Sequence, residues 1–168
     1  MIEVIETPRL LLREFEMEDA PSLYKLNLDP QVIQFTGDNA FSSIEEARAF
    51  LRNYDHYQTY GYGRWAVTLR TERTFIGWCG LKYHIETQEV DLGFRFMRKF
   101  WRNGYASEAG SACIKFAFQP LKMKRLIGRV MPENVASIKL LEKVGMTFYH
   151  RMKIDSKEWL VYEIVNQP

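Results

Sequence analysis

With 168 residues, 46% of them hydrophobic and 26% charged, the chain is long enough to bury a core without staples and too apolar to stay disordered. A net charge of +2, with Lys and Arg spread along the chain, gives no footprint for nucleic acid. The acidic start MIEVIETPRLLLRE lacks a secretory signal, and no apolar run nears the roughly 20 residues of a membrane helix, so a soluble cytoplasmic protein is expected.

In chain order, Arg9 to Phe15 predicts a first strand. From Met17 the pattern turns helical, with Asp19 as cap and Asp29-Pro30 as terminator. A second helix opens at Ser42 or Ser43, with Glu46 in capping-box position relative to Ser43, and runs to Tyr54. Three strands follow, Trp65 to Leu69, Phe75 to Ile85 and the segment EVDLGFRFM, in which Val90, Leu92, Phe94 and Phe96 alternate with Asp91, Gly93 and Arg95. Their connections are too short for crossovers, which predicts an antiparallel meander. A helix then runs to Pro120, a strand covers Arg125 to Met131, and a helix covers Asn134 to Val144 with Gly145 as left-handed terminator. Strands at Thr147 to Ile154 and Trp159 to Val165 complete one α+β domain spanning residues 1–168, with a mixed sheet as its core. Cys79 and Cys113 lie in apolar contexts and are expected to be buried free thiols. His56, His84 and His150 have no metal-like spacing and are expected at the surface or a rim.

FWRNGYASEA, from Phe100 to Ala109, asks for more than a turn. A strand entering a helix through a glycine loop aims unpaired N–H groups and the positive end of the helix dipole at one point, where phosphates bind. Gly104 permits positive φ, and Ala106, Ser107 and Ala109 leave the helix start uncrowded. Neither the Gly-Lys-Ser/Thr of a P-loop nor G-x-G-x-x-G is present. On this loop alone, a tight turn with an Ala-rich packing face remains an equal reading. The second motif, NVASIKLLEKVGM, places Asn134 at a helix N-cap and Ser137 in the first turn. The combination is more specific than either part.

TPRLLLRE, EVDLGFRFMRKFWRNGYASEA and NVASIKLLEKVGM together resemble the GNAT superfamily of N-acetyltransferases, in the branch of ribosomal-protein N-terminal acetyltransferases of RimJ/RimL type. The resemblance implies a mostly antiparallel, mixed seven-stranded sheet flanked by about four helices and splayed between the fourth and fifth strands. It implies acetyl-CoA as co-substrate, no metal, and an amine acceptor that is a small molecule or a protein N-terminus, with no nucleic-acid or membrane partner. Monomer and homodimer both stay open. The acetyl-CoA loop register falls on Trp101, Arg102, Asn103, Gly104, Tyr105 and Ala106, with Ser107 following, and the family's contacts there are mostly through the backbone. The backbone around Phe94 and Phe96 would hold the pantetheine arm and offer an N–H to the thioester oxygen. Gly93 fits a bulge that would start the splay, with cross-strand crowding as the other reading. The same fold can also bind acyl-CoA without turnover, as a sensor or scaffold.

Acetyl transfer needs a neutral amine, although an α-amine has a pKa of ~7.7–8.0 and a lysine ~10.4. It also needs a donor for the oxyanion and a proton for the departing thiolate. The tyrosine that many family members use as donor is replaced by Leu141. The resemblance therefore points to Ser137 as donor, with a neighbouring tyrosine or water as rivals, and to Asn134 on the CoA arm. Asp91 stands where the family's strand carries an acid and is the candidate base, directly or through water, against the reading of a solvated strand-end acid. Glu108 looks structural, tethering the helix start. The acceptor pocket is expected from Phe35 to Tyr62 and Met152 to Trp159, with walls from Phe41, Tyr54, Tyr57, Tyr60 and Tyr62.

Overall fold

A computed structural model describes residues 1–167. Strands β1 (Glu3–Glu6) and β2 (Leu10–Arg13) form a hairpin, followed by a 3-10 turn and helices α1 (Ala20–Leu28) and α2 (Pro30–Ile33). Helices α3 (Ile44–Arg52) and α4 (His56–Tyr60) lead into the meander β3 (Arg64–Leu69), β4 (Phe75–His84) and β5 (Glu89–Phe96). Then come α5 (Tyr105–Phe118), β6 (Arg125–Val130), α6 (Val135–Lys143), β7 (Thr147–Ile154) and β8 (Lys157–Val165). The sheet runs β1-β2-β3-β4-β5-β6-β8-β7. It has one strand more than expected, because Glu3–Glu6 pairs with β2 at the edge. No helix is long and apolar enough to cross a membrane among the described residues.

Local signals explain most boundaries. Ser43 caps α3 by accepting from the Glu46 amide at 3.1 Å. The return arm of the box slips by one residue, with the Glu46 carboxylate taking Ser42 Oγ at 2.8 Å. Helix α3 stops at Arg52, and the following residues form the separate α4. Asp19 does not cap α1 as the sequence predicts. Its buried carboxylate takes the Arg13 guanidinium with both oxygens at 2.7 Å and the Glu16 amide at 2.8 Å, serving as the third residue of a capping box on the 3-10 turn that precedes α1.

Every pairing in the sheet is antiparallel except β5 with β6, which are parallel and registered only at Asp91–Ile127. Beyond Asp91 the two strands part. That is the expected splay between the meander's last strand and the next. It does not begin with a bulge at Gly93: the β4–β5 ladder continues unbroken from Gly77–Phe96 to His84–Glu89. Helices α5 and α6 cover one face. Leu92, Cys113, Ile114, Leu126 and Leu141 pack there with Cys79, whose thiol lies 3.6 Å from that of Cys113 with no disulfide. Helices α1 and α3 cover the other face through Leu23, Leu26, Ala47 and Leu51.

Candidate functional site

The loop from β5 to α5 is built to leave its amides bare. Arg102 and Gly104 both take positive φ, +63° and +78°, and Gly104 opens α5 as its N-cap without a side-chain cap. Among the described residues, the amides from Arg102 through Ser107 donate to no carbonyl or side chain, and the first bond into the helix is Glu108 N to Gly104 O at 3.0 Å. The polar side chains are turned inward to hold this shape. Asn103 Nδ2 donates to the carbonyls of Phe100 and Trp101, and Ser107 Oγ donates to that of Gly104. Trp101 Nε1 ties the loop to the end of β5 through Phe96 O at 2.8 Å.

A second tether comes from the first hairpin. Arg9 donates to Asn103 O at 2.8 Å and, through Nε, to Glu108 at 2.6 Å, while Thr7 Oγ1 reaches the same carboxylate at 2.7 Å. Burial works against this carboxylate, but Thr7 and Arg9 outweigh it and hold its pKa below the ordinary value. Glu108 therefore holds α5 to the first hairpin.

Where β5 and β6 part, a cavity of about 250 Å³ is lined from both faces of the sheet. From the α5–α6 side come Leu92, Phe94, Asn134, Ser137 and Leu141; from the other side come Arg64, Trp78, Lys82, His84, Asp91 and Arg95. Asn134 accepts the Ser137 amide at 3.2 Å, which caps α6, and its Nδ2 makes no hydrogen bond among the described residues. Ser137 Oγ makes no hydrogen bond among the described residues, and no tyrosine lines the cavity. The structure thus brings Ser137, Asn134, Asp91 and Phe94 to one place. Phe94 and Phe96 lie on the stretch of β5 that pairs with β4 but not with β6, and the amides of Arg102 to Ser107 follow at its end.

Asp91 is neither a solvated strand-end acid nor a free base. Its side chain is 10% exposed, Arg64 Nη2 lies 2.6 Å from one oxygen, and His84 Nε2 lies 2.9 Å from the other. Burial alone would raise its pKa, but Arg64 and His84 prevail and bring it to about 2. A carboxylate at about 2 taking a proton from an α-ammonium at ~8 works against roughly 8 kcal/mol. Both Asp91 oxygens are thus committed to Arg64 and His84.

Arg64 explains Gly93. A Cβ at Gly93 would stand 2.5 Å from the Arg64 guanidinium, so the glycine makes room for the ion pair rather than for a bulge. Gly93→Ala is expected to displace the guanidinium and lower unfolding free energy by about 2 kcal/mol, the scale of one hydrogen bond to a charged group. Urea titration reads this directly. A change below about 0.5 kcal/mol, the level of an ordinary surface substitution, would mean the pair re-forms around the methyl.

The expected aromatic walls belong elsewhere. Only Phe35, Thr36 and Asp38 from the first predicted segment, and Ile154 and Trp159 from the second, line the cavity. Tyr57 donates to Arg64 O and accepts from Phe15 N, Tyr54 accepts from Arg64 N, and burial pushes both phenols up. They orient β3. His84, expected at a surface or rim, is part of the Asp91 cluster, while His56 takes the Tyr83 amide at 3.1 Å. Sequence reasoning missed Arg64, Trp78 and His84. Alternation held the signal, since β4 and β5 pair Trp78–Arg95, Gly80–Gly93 and Lys82–Asp91 on one face.

Residues 9–147 match the acetyltransferase (GNAT) domain family. The chain belongs to the GNAT acetyltransferases. It is similar to the uncharacterized N-acetyltransferase YnaD of Bacillus subtilis, 29% identical over 92% of this chain and 91% of that one. A GNAT-family acetyltransferase from Bacillus anthracis superposes with a TM-score of 0.83 at 27% identity, covering 96% and 97% of the two chains. RimL, a ribosomal L7/L12 alpha-N-protein acetyltransferase solved with coenzyme A, shares the fold with a TM-score of 0.81 at 16% identity over 97% of each chain. As a GNAT acetyltransferase the protein is an acyltransferase, and its sheet order and splay are those of the family's fold.

Proposed function

We propose that this chain, as one domain, transfers acetyl from acetyl-CoA to a primary amine by direct attack within a ternary complex. One observation carries the reading: a single cavity is lined from both faces of the sheet at the β5–β6 splay, and β5, which borders it, leads on to the bare amides that start α5. The pyrophosphate would rest on the amides of Arg102 to Ser107, with the dipole of α5 behind them. The thioester arm would lie along Phe94 and Phe96 with Asn134 Nδ2 beside it. The amine then enters from the Asp91 face. Its nitrogen bonds to the acetyl carbon, the C–S bond breaks, the amine proton leaves to water, and Ser137 Oγ gives a proton to the thiolate and regains one from solvent. Asp91 acts as a positioning residue that fixes Arg64 and His84.

Titration calorimetry of acetyl-CoA and CoA into the wild type and Gly104→Trp tests the cofactor half. A side chain at this φ is strained, and its Cβ already meets Arg9 Nη2 at 3.3 Å. The indole would cover the amides, so affinity is expected to fall by at least ~10-fold, or 1.4 kcal/mol, in a variant whose circular dichroism is unchanged. Wild-type protein that binds neither compound would overturn the reading.

A further inference from the structure

The charge of the cavity narrows the acceptor. Four cationic side chains line it, Arg64, Lys82, Arg95 and Arg129, against two carboxylates, Asp38 and Asp91. Both carboxylates are committed, Asp91 to Arg64 and Asp38 to Arg95 at 2.6 Å each. Lys82 and Arg129 have no carboxylate within salt-bridge distance among the described residues. Among the described residues Arg129 meets no carboxylate: its Nη1 lies 3.2 Å from His84 Nδ1 and its Nη2 3.1 Å from Thr87 Oγ1, and its Nε is buried without a partner. Arg95 Nε is likewise buried and unpartnered in a side chain only 8% exposed.

A guanidinium half withdrawn from water, with Glu89 acting on it only from beyond salt-bridge distance, is under-compensated, and a bound anion removes that cost. Arginine's planar fork is the side chain best matched to a carboxylate. His84 Nδ1 faces the Arg129 guanidinium, which only donates, so that ring nitrogen is the acceptor.

Resting on the acetyl-transfer reading above, we propose that the acceptor is a small amine that also carries a carboxylate, of the free amino acid class. Arg129 and Lys82 bind its carboxylate, and its apolar part lies against Phe35 and Trp159. The same cations disfavour the ammonium form of the acceptor, which helps deliver the neutral nucleophile at neutral pH. A peptide N-terminus carries no carboxylate beside its amine and leaves these cations unused.

Two matched pairs test this. Phenylalanine and phenylalaninamide are compared as acceptors, and N-acetylphenylalanine and its amide are titrated onto the CoA-saturated protein, with quenching of Trp78 and Trp159 as the signal. The acid should exceed the amide by at least ~10-fold in kcat/KM and in affinity, the scale of one good ionic contact. That ratio should collapse toward unity in Arg129→Gln, fall in the exposed Lys82→Gln, and fall by less in Arg129→Lys, which keeps the charge but not the fork. Equal use and equal binding of acid and amide, or a ratio indifferent to Arg129→Gln, would overturn the assignment. Acid-selective binding with no acetyl transfer to any amine would uphold the anion site and sink the transfer reading instead.

Discussion

Ser137→Ala is expected to lower kcat by about 100-fold while leaving acetyl-CoA affinity and thermal stability nearly unchanged. Proton donation typically contributes ~10²–10⁴. The low end applies because a departing thiol, with a pKa of ~8.5, is a tolerable anion near neutral pH. The fold gives a clean control. Ser137 stands three residues into α6, where its amide, not its hydroxyl, is the group capped by Asn134. Losing Oγ therefore removes no cap and no hydrogen bond among the described residues, and the stability change should stay within about 0.5 kcal/mol. Single-turnover transfer from acetyl-CoA measures the effect. A kcat within twofold of wild type would pass the donor role to water, since no tyrosine lines the cavity.

How much of this was legible depends on the range over which each signal acts. EVDLGFRFM states its alternation within nine letters, and the strand–glycine–helix order around Gly104 is equally local, so both were readable. The edge strand Glu3–Glu6 was not. It is four residues of mixed polarity, stabilised by pairing with β2 rather than by its own pattern. Asp19 misses the predicted role for a local reason, since the 3-10 turn from Met17 already opens the run and Glu16 is its N-cap. The roles of Asp91 and Gly93 were the hardest to see. Both depend on Arg64, which is 27 residues from Asp91 and reaches it only because β3 and β5 flank β4. Tyr54 and Tyr57 looked like pocket walls for the reason any aromatic cluster does. Tyr57 on the short α4 and Tyr54 in the connection before it are instead oriented by the Arg64 main chain that both bind.

Removing the Arg64 guanidinium is the most destabilising change expected at the site, and it should reverse the sign of one pH dependence. Breaking a buried ion pair from one side costs about 3–5 kcal/mol, and here the side chains of Arg64 and Asp91 are only 14% and 10% exposed. In the wild type the Asp91 carboxyl is held at about 2, below its unfolded value of ~3.9. Its contribution, on the order of 2 kcal/mol, is therefore fully present above pH ~4 and is lost as pH falls toward 2. In Arg64→Met, burial is opposed by His84 alone. The folded-state pKa should then rise above the unfolded one, so that the carboxylate weakens the fold as pH increases from ~4 toward 7. Asp91→Asn, which cannot titrate, should remove both slopes. Urea unfolding across this range separates the three proteins, and parallel curves for the wild type and Arg64→Met would show that Arg64 does not set the Asp91 charge. The same variants test catalysis. If Asp91 positions rather than abstracts, Asp91→Asn should raise KM for the amine while the alkaline rise of the rate still follows the amine's own pKa. A lost alkaline rise with unchanged KM would return the proton to Asp91.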